Sequence, residues 1–250
     1  MATWRIVPLD AGDFLAFEKS RFTYQRNVGE KIQAPCLVWL LLGGPEPVLV
    51  DLGPTPPEEA ERVHGWAMRR EPRHDLVAQL KAHRVNPEDV ETVLVTHLHW
   101  DHVSNAHLFP RARIYVQRRE LAYAAAPLYP QRGSYEADEP SPPWMRNWGR
   151  YVVLDGDREV VPGVTAHLLP GHTPGSQGIG VETADGVYLI AGDNVDLFEN
   201  WEGAPGLPHI PGSIFVNLED YLRSFARMET LARFVLPSHD MRVLERPEYP

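Results

Sequence analysis

Cysteine is almost absent from this chain of 250 residues, and the single one, Cys36, lies in the apolar run PCLVWLLL. One thiol cannot form a disulfide within one chain, so we interpret Cys36 as a buried structural residue. No apolar stretch reaches the length of a membrane span, and the N-terminal residues MATWRIVPLDAGDF lack the pattern of a secretory signal. We therefore expect a cytoplasmic protein without a membrane partner.

Basic residues are fewer than acidic ones: the chain has 24 Lys and Arg and 34 Asp and Glu, which give a net charge of −10. An acidic chain disfavours binding to a phosphate backbone, so we expect no nucleic-acid partner. The hydrophobic fraction of 43% is that of an ordinary globular protein rather than a disordered one. We predict a single domain over residues 1–250.

Histidine, by contrast, is concentrated in the stretch Glu91–Asn105, which reads ETVLVTHLHWDHVSN. An apolar strand leads into His97 and His99, whose imidazoles project to the same side if the extended conformation continues. Asp101 and His102 follow where the chain turns. Imidazole nitrogens and carboxylate oxygens are the ligands that suit zinc and other borderline divalent ions. The stretch therefore predicts a metal site.

The hydrophobic pattern predicts an α/β (α+β) protein. In the first half we predict strands over 4–9, 36–42, 48–50, 92–95 and 112–116, and helices over 56–70, 74–83 and 118–126. In the second half we predict a mostly antiparallel sheet with strands over 151–154, 159–161, 164–168, 178–182, 187–190 and 234–236, and a helix over 218–233. Residues 18–30 are interpreted as a loop or lid. The proline-rich segment 127–150 is a candidate lid or dimer arm, which allows a homodimer.

Three later strands each end in a turn that carries one metal-binding side chain. These turns are LLPGHTPGS with His172, VYLIAGDN with Asp193 and FVLPSHD with His239. Any one of them alone is more typical of a cap or a solvated turn. Because they follow the histidine cluster in this order, we interpret them as further ligands of the same site.

This set of residues resembles the metallo-β-lactamase superfamily, whose motif THxHxDH is THLHWDH here. The resemblance runs from about Leu37 to His239 and implies a four-layer αββα sandwich with a site for two divalent metal ions. It implies that His97, His99 and His172 hold one ion, that Asp101, His102 and His239 hold the other, and that Asp193 bridges them. Zinc is the metal that we expect, although iron, manganese and cobalt accept the same ligands.

Two such ions share a water molecule, lower its pKa and polarise a substrate oxygen, so we expect a hydrolase. Asp101 and Asp193 are the predicted catalytic residues. Asp101 is also a candidate to receive the proton of the attacking water and return it to the leaving oxygen. Asp51, at the end of a strand, is a candidate partner for the ring N–H of a ligand histidine. Asp240 is expected to be solvated.

Three stretches that are less specific than the metal ligands indicate the type of hydrolase. The stretches RNVGEKIQAPCLVWLL, PGHTPGSQG and PGSIFVNLEDYLRSFARMETL resemble the N-acyl-homoserine-lactone lactonase-like group. That resemblance implies lactone-ring opening, but Asp196 stands where members of the group carry a tyrosine. The substrate is therefore an N-acyl-homoserine lactone, a related lactone or another ester. The alternative is an ester or thioester hydrolase resembling glyoxalase II, although the chain lacks the C-terminal helical region expected of that enzyme.

Aromatic residues near the metal motif are candidates for an apolar substrate pocket. These candidates are Trp100, Phe22, Tyr24, Phe198, Trp201, His209 and Phe215. Packing in the core or at a dimer interface is the alternative interpretation for each of them. His209 is also a candidate for the polar group that the missing tyrosine would supply.

Overall fold

Two β-sheets face each other in the computed structural model, which describes residues 3–250. The seven-stranded sheet has the order β4-β1-β2-β3-β5-β6-β7, and the five-stranded sheet has the order β12-β11-β10-β9-β8. The strands are β1 Arg5–Glu18, β2 Lys31–Leu42, β3 Val48–Val50, β4 Met68–Arg69, β5 Thr92–Leu94, β6 Arg113–Gln117, β7 Tyr151–Leu154, β8 Arg158–Val161, β9 Val164–Leu168, β10 Gln177–Thr183, β11 Gly186–Ile190 and β12 Phe234–Leu236. The helices are α1 Pro57–His64, α2 Leu76–Ala82, α3 Trp100–Val103, α4 Arg118–Ala125, α5 Phe198–Glu202 and α6 Leu218–Leu231.

Strand β2 is buried on both faces because successive side chains point to opposite sides of the sheet. Val38 and Leu40 face an outer core that contains Leu80 of α2. Trp39 and Leu41 face the core between the two sheets. The continuous apolar run of β2 is therefore explained by two separate cores, one on each side.

The five-stranded sheet follows the same rule. Val181 packs into the core between the sheets, whereas Leu189 of β11 faces outward. Helix α6 covers that outer face with Tyr221, Phe225 and Met228, which lie on one side of an amphipathic helix. The order of layers is helix, sheet, sheet, helix, and the predicted four-layer sandwich is confirmed.

The first strand is longer than predicted. The sequence indicates a strand over residues 4–9 and a loop over 18–30, whereas β1 runs to Glu18 and pairs with β2 through two register shifts. The predicted strand is too short because Asp10 and Asp13 interrupt the apolar pattern. Both carboxylates are buried, and Arg73 pairs with them at 2.7 and 2.8 Å. These ion pairs let the strand continue through polar positions.

Two further boundaries differ from the prediction. Helix α1 ends at His64 because Gly65 adopts a left-handed conformation with φ 68°, and Met68–Arg69 forms β4 against β1. Strand β7 was predicted in the antiparallel sheet of the second half, but it pairs parallel with β6 in the seven-stranded sheet. A parallel pair needs a long crossover, which α4 and residues 127–150 supply.

Residues 127–150 contain only short 3₁₀ turns. Tyr135 and Trp144 anchor this segment in the outer core, and the carbonyl of Ser134 accepts a hydrogen bond of 3.0 Å from the backbone N–H of Trp100. The segment therefore lies against the histidine motif. Across residues 3–250, no helix is both long and apolar enough to cross a bilayer.

Candidate metal centre and active-site cleft

Strand ends from both sheets deliver the seven predicted ligands to one place. The irregular segment after β5 carries His97 and His99, and α3 then begins at Trp100 and carries Asp101 and His102. The other three follow strands of the five-stranded sheet: His172 follows β9, Asp193 follows β11 and His239 follows β12. The structure brings all seven together.

The seven side chains form two groups that share one carboxylate. Within each group, the ligand atoms lie within 4.8 Å of one another. The first group contains His97, His99, His172 and Asp193, and the second contains Asp101, His102, Asp193 and His239. All are buried except Asp101, which is partly exposed.

The two oxygens of Asp193 face different groups. Oδ1 lies 3.1 Å from Nε2 of His102 and 3.3 Å from Nε2 of His239. Oδ2 lies 3.8 Å from Nε2 of His97 and 3.6 Å from Nε2 of His172. Ser238 donates a hydrogen bond of 2.8 Å to Oδ1 and fixes the carboxylate. Asp193 is therefore placed between the two groups.

Hydrogen bonds at the far side of three rings set their tautomers. Nδ1 of His172 lies 2.7 Å from the carbonyl of Ile214, and Nδ1 of His239 lies 2.8 Å from the carbonyl of Pro35. A carbonyl only accepts, so Nδ1 carries the proton and a neutral ring presents a lone pair on Nε2. Nδ1 of His102 lies 2.8 Å from an oxygen of Asp51, which has the same effect. These three rings present Nε2 to the centre.

These residues fit two divalent metal ions. The Nε2 atoms of His97, His102 and His239 are buried and make no hydrogen bond within residues 3–250, and an unsatisfied buried polar atom costs about 1–3 kcal/mol. Donors bound tetrahedrally to one zinc ion at about 2.1 Å stand about 3.4 Å apart. The distance of 3.1 Å between Nδ1 of His99 and Nε2 of His172 is close to that spacing. Coordination would satisfy the unpartnered nitrogens.

Burial and charge set the protonation states of the centre. Burial, together with neighbouring imidazoles, lowers the pKa of His97 and of His99 well below its usual value, which keeps these rings neutral. Burial acts to raise the pKa of Asp193, but His102 and His239 outweigh it and hold that pKa well below its usual range. Burial acts to lower the pKa of His102 and of His239, but Asp193 and the neighbouring carboxylates outweigh it and raise the pKa of both rings. The centre therefore combines neutral rings at His97 and His99 with an ionised carboxylate, and it favours positive charge at His102 and His239.

Asp51 holds the histidine motif from behind, as predicted from its position after β3. One oxygen accepts from the backbone N–H of Thr96 at 2.7 Å, and the other accepts from the Thr96 hydroxyl at 2.8 Å and pairs with His102. Asp240, by contrast, was predicted to be solvated and is buried. Its carboxylate accepts from the backbone N–H of Phe198 at 2.9 Å at the start of α5.

Glu120 of α4 is a buried residue of the site that the sequence did not reveal. It accepts hydrogen bonds from the backbone N–H of Leu98 at 2.9 Å, the Tyr135 hydroxyl at 2.7 Å and the Thr173 hydroxyl at 2.5 Å. One donor lies between His97 and His99, and another lies beside His172. A glutamate in the first turn of a helix is typically solvated, so no sequence signal pointed to this role.

A narrow cleft of about 50 Å³ leads to the centre. Aromatic side chains make up much of its wall, and Asp101, His172, Asp193 and His239 lie at its base. The aromatic residues are Phe14, Phe17, Phe22, Trp66 and Trp100. A larger cavity of about 590 Å³ elsewhere contacts none of the seven predicted ligands. We therefore place the active site at the smaller cleft, where the reactive groups converge.

The structure places two of the seven predicted pocket residues, Phe22 and Trp100, in the wall of this cleft. Phe22 stacks on the ring of His239 with centroids 5.0 Å apart, and Trp100 stacks on His64 at 4.1 Å. The other five are absent from the wall. Tyr24 contacts Phe215, and Trp201 stacks on His209. Phe198 packs against the guanidinium of Arg242.

His209 and Asp196 both lie outside the cleft wall. Nδ1 of His209 bonds the carbonyl of Trp201 at 2.8 Å and Nε2 contacts Glu229 at 3.1 Å, so its ring is already engaged. Asp196 is buried, and burial together with the charge of Asp193 raises its pKa well above the usual range. Neither residue supplies a polar group to the cleft.

The sequence model of the Metallo-beta-lactamase superfamily matches residues 33–239, which include the whole metal centre. The chain belongs to this superfamily. Among its metallo-β-lactamase relatives, an N-acyl homoserine lactonase of Bacillus sp. is 32% identical over 189 residues, which cover 70% of this chain and 69% of the relative. The N-acyl homoserine lactonase AttM of Azorhizobium caulinodans is 32% identical over 174 residues, which cover 67% of this chain but only 62% of that relative.

Solved structures agree with this assignment to the metallo-β-lactamase superfamily. A mutant of AiiA from B. thuringiensis, with N-decanoyl-L-homoserine bound at the active site, matches with a TM-score of 0.76 and 25% identity over 98% of this chain and 96% of that one. A quorum-quenching N-acyl homoserine lactone lactonase matches with a TM-score of 0.74 and 26% identity over 97% and 94%. The similarity to both therefore extends over the whole fold.

Proposed function

We propose that this protein is a metal-dependent hydrolase that opens a lactone ring on a dinuclear site. The observation that carries the proposal is the placement of Asp193, whose two oxygens face two separate groups of imidazoles. The similarity to N-acyl homoserine lactonases over most of the chain supports a cyclic ester as the substrate. The substrate class is an N-acyl-homoserine lactone or a related lactone.

Each group of ligands is assigned to one ion. His97, His99 and His172 would hold the first ion, Asp101, His102 and His239 would hold the second, and Asp193 would contact both. When bound, two divalent ions make a water molecule more acidic and polarise the ester carbonyl. Zinc is the proposed metal because the donors are imidazoles and carboxylates.

Asp101 is the proposed proton carrier. It is the most exposed of the ligands, with 13% of its side chain accessible, and it lies at the base of the cleft. Its Oδ2 lies 3.8 Å from Nε2 of both His102 and His239. The carboxylate can accept the proton of the attacking water and deliver it to the ring oxygen as the carbonyl carbon–oxygen bond breaks. The product is an open-chain hydroxy acid.

Phe22 and Trp100 are the proposed walls of the substrate site. The ring of Phe22 covers His239, and Trp100 is held by its contacts with His64 and Phe14. Apolar walls exclude bulk water from the carbonyl and strengthen the electrostatic effect of the centre. The apolar part of the lactone would lie against them.

Proton release from a panel of lactones, linear esters, thioesters and a cephalosporin tests this function. We expect the zinc-loaded protein to prefer lactones, and metal analysis should find about two ions per chain. Asp193→Ala should lose turnover and at least one ion while the far-ultraviolet circular dichroism spectrum stays unchanged. A preference for thioesters would instead support the glyoxalase II-like alternative. Undiminished turnover in Asp193→Ala would falsify the bridged site.

Residues 127–150 are the proposed lid or dimer arm. Their outer surface exposes Leu128, Tyr129, Met145 and Trp148, which is a large apolar area for an acidic protein. A homodimer through this surface, in the cytoplasm and without nucleic acid, is the proposed assembly. Light scattering of the protein and of Trp148→Ser would test the assembly, since only the former should have the mass of two chains.

A further inference from the structure

Arg21 lies at the mouth of the cleft that leads to the metal centre. Its guanidinium stands over the rings of Trp66 and Phe17, with the central carbon 5.0 and 5.8 Å from their centroids. The backbone is fixed at this point because the carbonyl of Arg21 accepts a hydrogen bond of 2.8 Å from the backbone N–H of Ser213. The cation is therefore held in the aromatic wall of the site.

No carboxylate within residues 3–250 forms an ion pair with Arg21, whereas neighbouring lysines of the same hairpin are paired. Lys19 contacts Glu199 at 2.9 Å and Glu30 at 3.1 Å, and Lys31 contacts Glu18 at 2.9 Å. In a chain with a net charge of −10, acidic partners are abundant. An unpaired guanidinium beside the reactive centre is therefore a notable feature of this surface.

The chemistry of arginine indicates what would occupy this position. A guanidinium keeps its charge at all physiological pH values and presents paired N–H donors that match a carboxylate or a phosphate. Trp66 and Phe17 pack against the guanidinium in cation–π contacts, which leave its N–H donors without an anionic partner. The donors can thus meet an anion that enters the cleft.

The size of the cleft points to a compact ligand. The volume of about 50 Å³ is far below the roughly 300 Å³ or more that is typical of pockets for larger organic ligands. A long acyl chain would have to displace the stacked rings of Phe17 and Phe22, whose centroids are 4.3 Å apart. A small ring with a short charged substituent requires less rearrangement.

We propose that Arg21 binds an oxyanion on the substrate, so that the preferred substrate is a compact lactone that carries a carboxylate or a phosphate. This inference rests on the proposed lactonase function and specifies its substrate class. The lactone carbonyl would lie at the metal centre, and the charged substituent would lie at the mouth of the cleft.

Matched pairs of lactones test the inference. One pair is 5-oxotetrahydrofuran-2-carboxylate and its neutral carboxamide, and the other is a phosphorylated lactone and its dephosphorylated counterpart. For at least one pair, we expect the wild type to hydrolyse the anionic member with a kcat/KM at least tenfold higher. Arg21→Met should lower that ratio about tenfold through KM, and Arg21→Lys should restore part of it. The pair with the larger ratio identifies the anion.

Arg26→Met is the matched control, because Arg26 is an exposed arginine of the same hairpin that does not line the cleft. It removes the same charge and should leave the ratio unchanged. Raising the salt concentration from 0.05 to 0.5 M, about a threefold change in the Debye length, should reduce the ratio in the wild type but not in Arg21→Met. These readouts separate a direct contact from a general effect of charge or stability.

The inference is overturned if the wild type shows no preference within either pair, or if Arg21→Met keeps the wild-type ratio. Such results, with neutral lactones hydrolysed, would leave the lactonase function intact. Should no lactone be hydrolysed, the proposed function fails, and calorimetric binding of the same pairs still decides the role of Arg21. Equal affinity of wild type and Arg21→Met for the anionic members would then refute it.

Discussion

Replacing Glu120 by alanine removes the carboxylate that joins α4 to both loops of the first ligand group. In the wild type, this carboxylate accepts from Leu98, beside His97 and His99, and from Thr173, beside His172. The substitution therefore changes no predicted ligand. It removes the support that sets the spacing between ligands.

The magnitude follows from the donors that lose their acceptor. The N–H of Leu98 and the hydroxyl of Tyr135 both use one oxygen of Glu120 and are buried. Two orphaned donors cost about 1–3 kcal/mol each, so we expect a loss of about 4 kcal/mol in the free energy of unfolding. The hydroxyl of Thr173 keeps Ser176 as a partner at 2.8 Å and adds less. Glu120→Gln retains one acceptor oxygen and should cost about 1 kcal/mol.

Two measurements on the same variants check this reasoning. Urea unfolding of the metal-free protein gives the stability term without any contribution from bound ions. Competition for zinc against a chromophoric chelator gives the affinities of the two sites. We expect Glu120→Ala to weaken one of them by about 10–100-fold, the usual effect of removing support behind a ligand, and Glu120→Gln to recover most of the loss.

Glu91→Ala is the control, because Glu91 pairs with Arg111 at the surface and should contribute less than about 0.5 kcal/mol. Wild-type stability together with wild-type zinc affinity in Glu120→Ala would refute the idea that this carboxylate organises the loops. A loss of stability with both zinc affinities unchanged would limit its role to folding.

Two further substitutions test the support around the centre. Asp51→Asn keeps the shape of the side chain but puts a donor against the ring N–H of His102 or the N–H of Thr96. Zinc affinity measured by chelator competition should therefore fall about 10–100-fold, and an unchanged affinity would contradict the assigned tautomer of His102. Gly175→Ala places a methyl group 2.1 Å from the backbone nitrogen of Glu120. Calorimetry should therefore show a Tm lower by about 5 °C. A wild-type Tm would mean that α4 and the loop of His172 can move apart without cost.

Much of the site was predictable because its later ligands lie in similar sequence patterns, each in a turn that follows a short apolar strand. His172, Asp193 and His239 each follow a short apolar strand and a turn, and strands of a layered fold end at a common edge. Local pattern, together with the resemblance to the metallo-β-lactamase superfamily, therefore indicated these side chains as ligands. Within the cluster, the spacing of His97 and His99 and the predicted turn at Asp101 and His102 indicated a metal site, whereas the grouping of the ligands came from the resemblance to the superfamily.

Residues whose role depends on distant docking were not predictable. Glu120 is buried because the loop of Thr173, far along the chain, packs on its helix. Asp240 is buried because it receives the first N–H of α5 rather than solvent. Tyr24 and Phe215 are predicted pocket residues, but they pack on each other and do not line the cleft. Composition shows that such side chains are available, whereas only tertiary packing decides which of them reach the substrate site.

The division of the ligands between the two sheets has a consequence for folding. The histidine motif follows β5 of one sheet, whereas His172, Asp193 and His239 follow strands of the other. Bound ions would then act as reversible cross-links across the sandwich, comparable in position to disulfides in a chain that has none. Bound ions would favour the state in which the sheets are docked, so part of the free energy of metal binding would become resistance to unfolding.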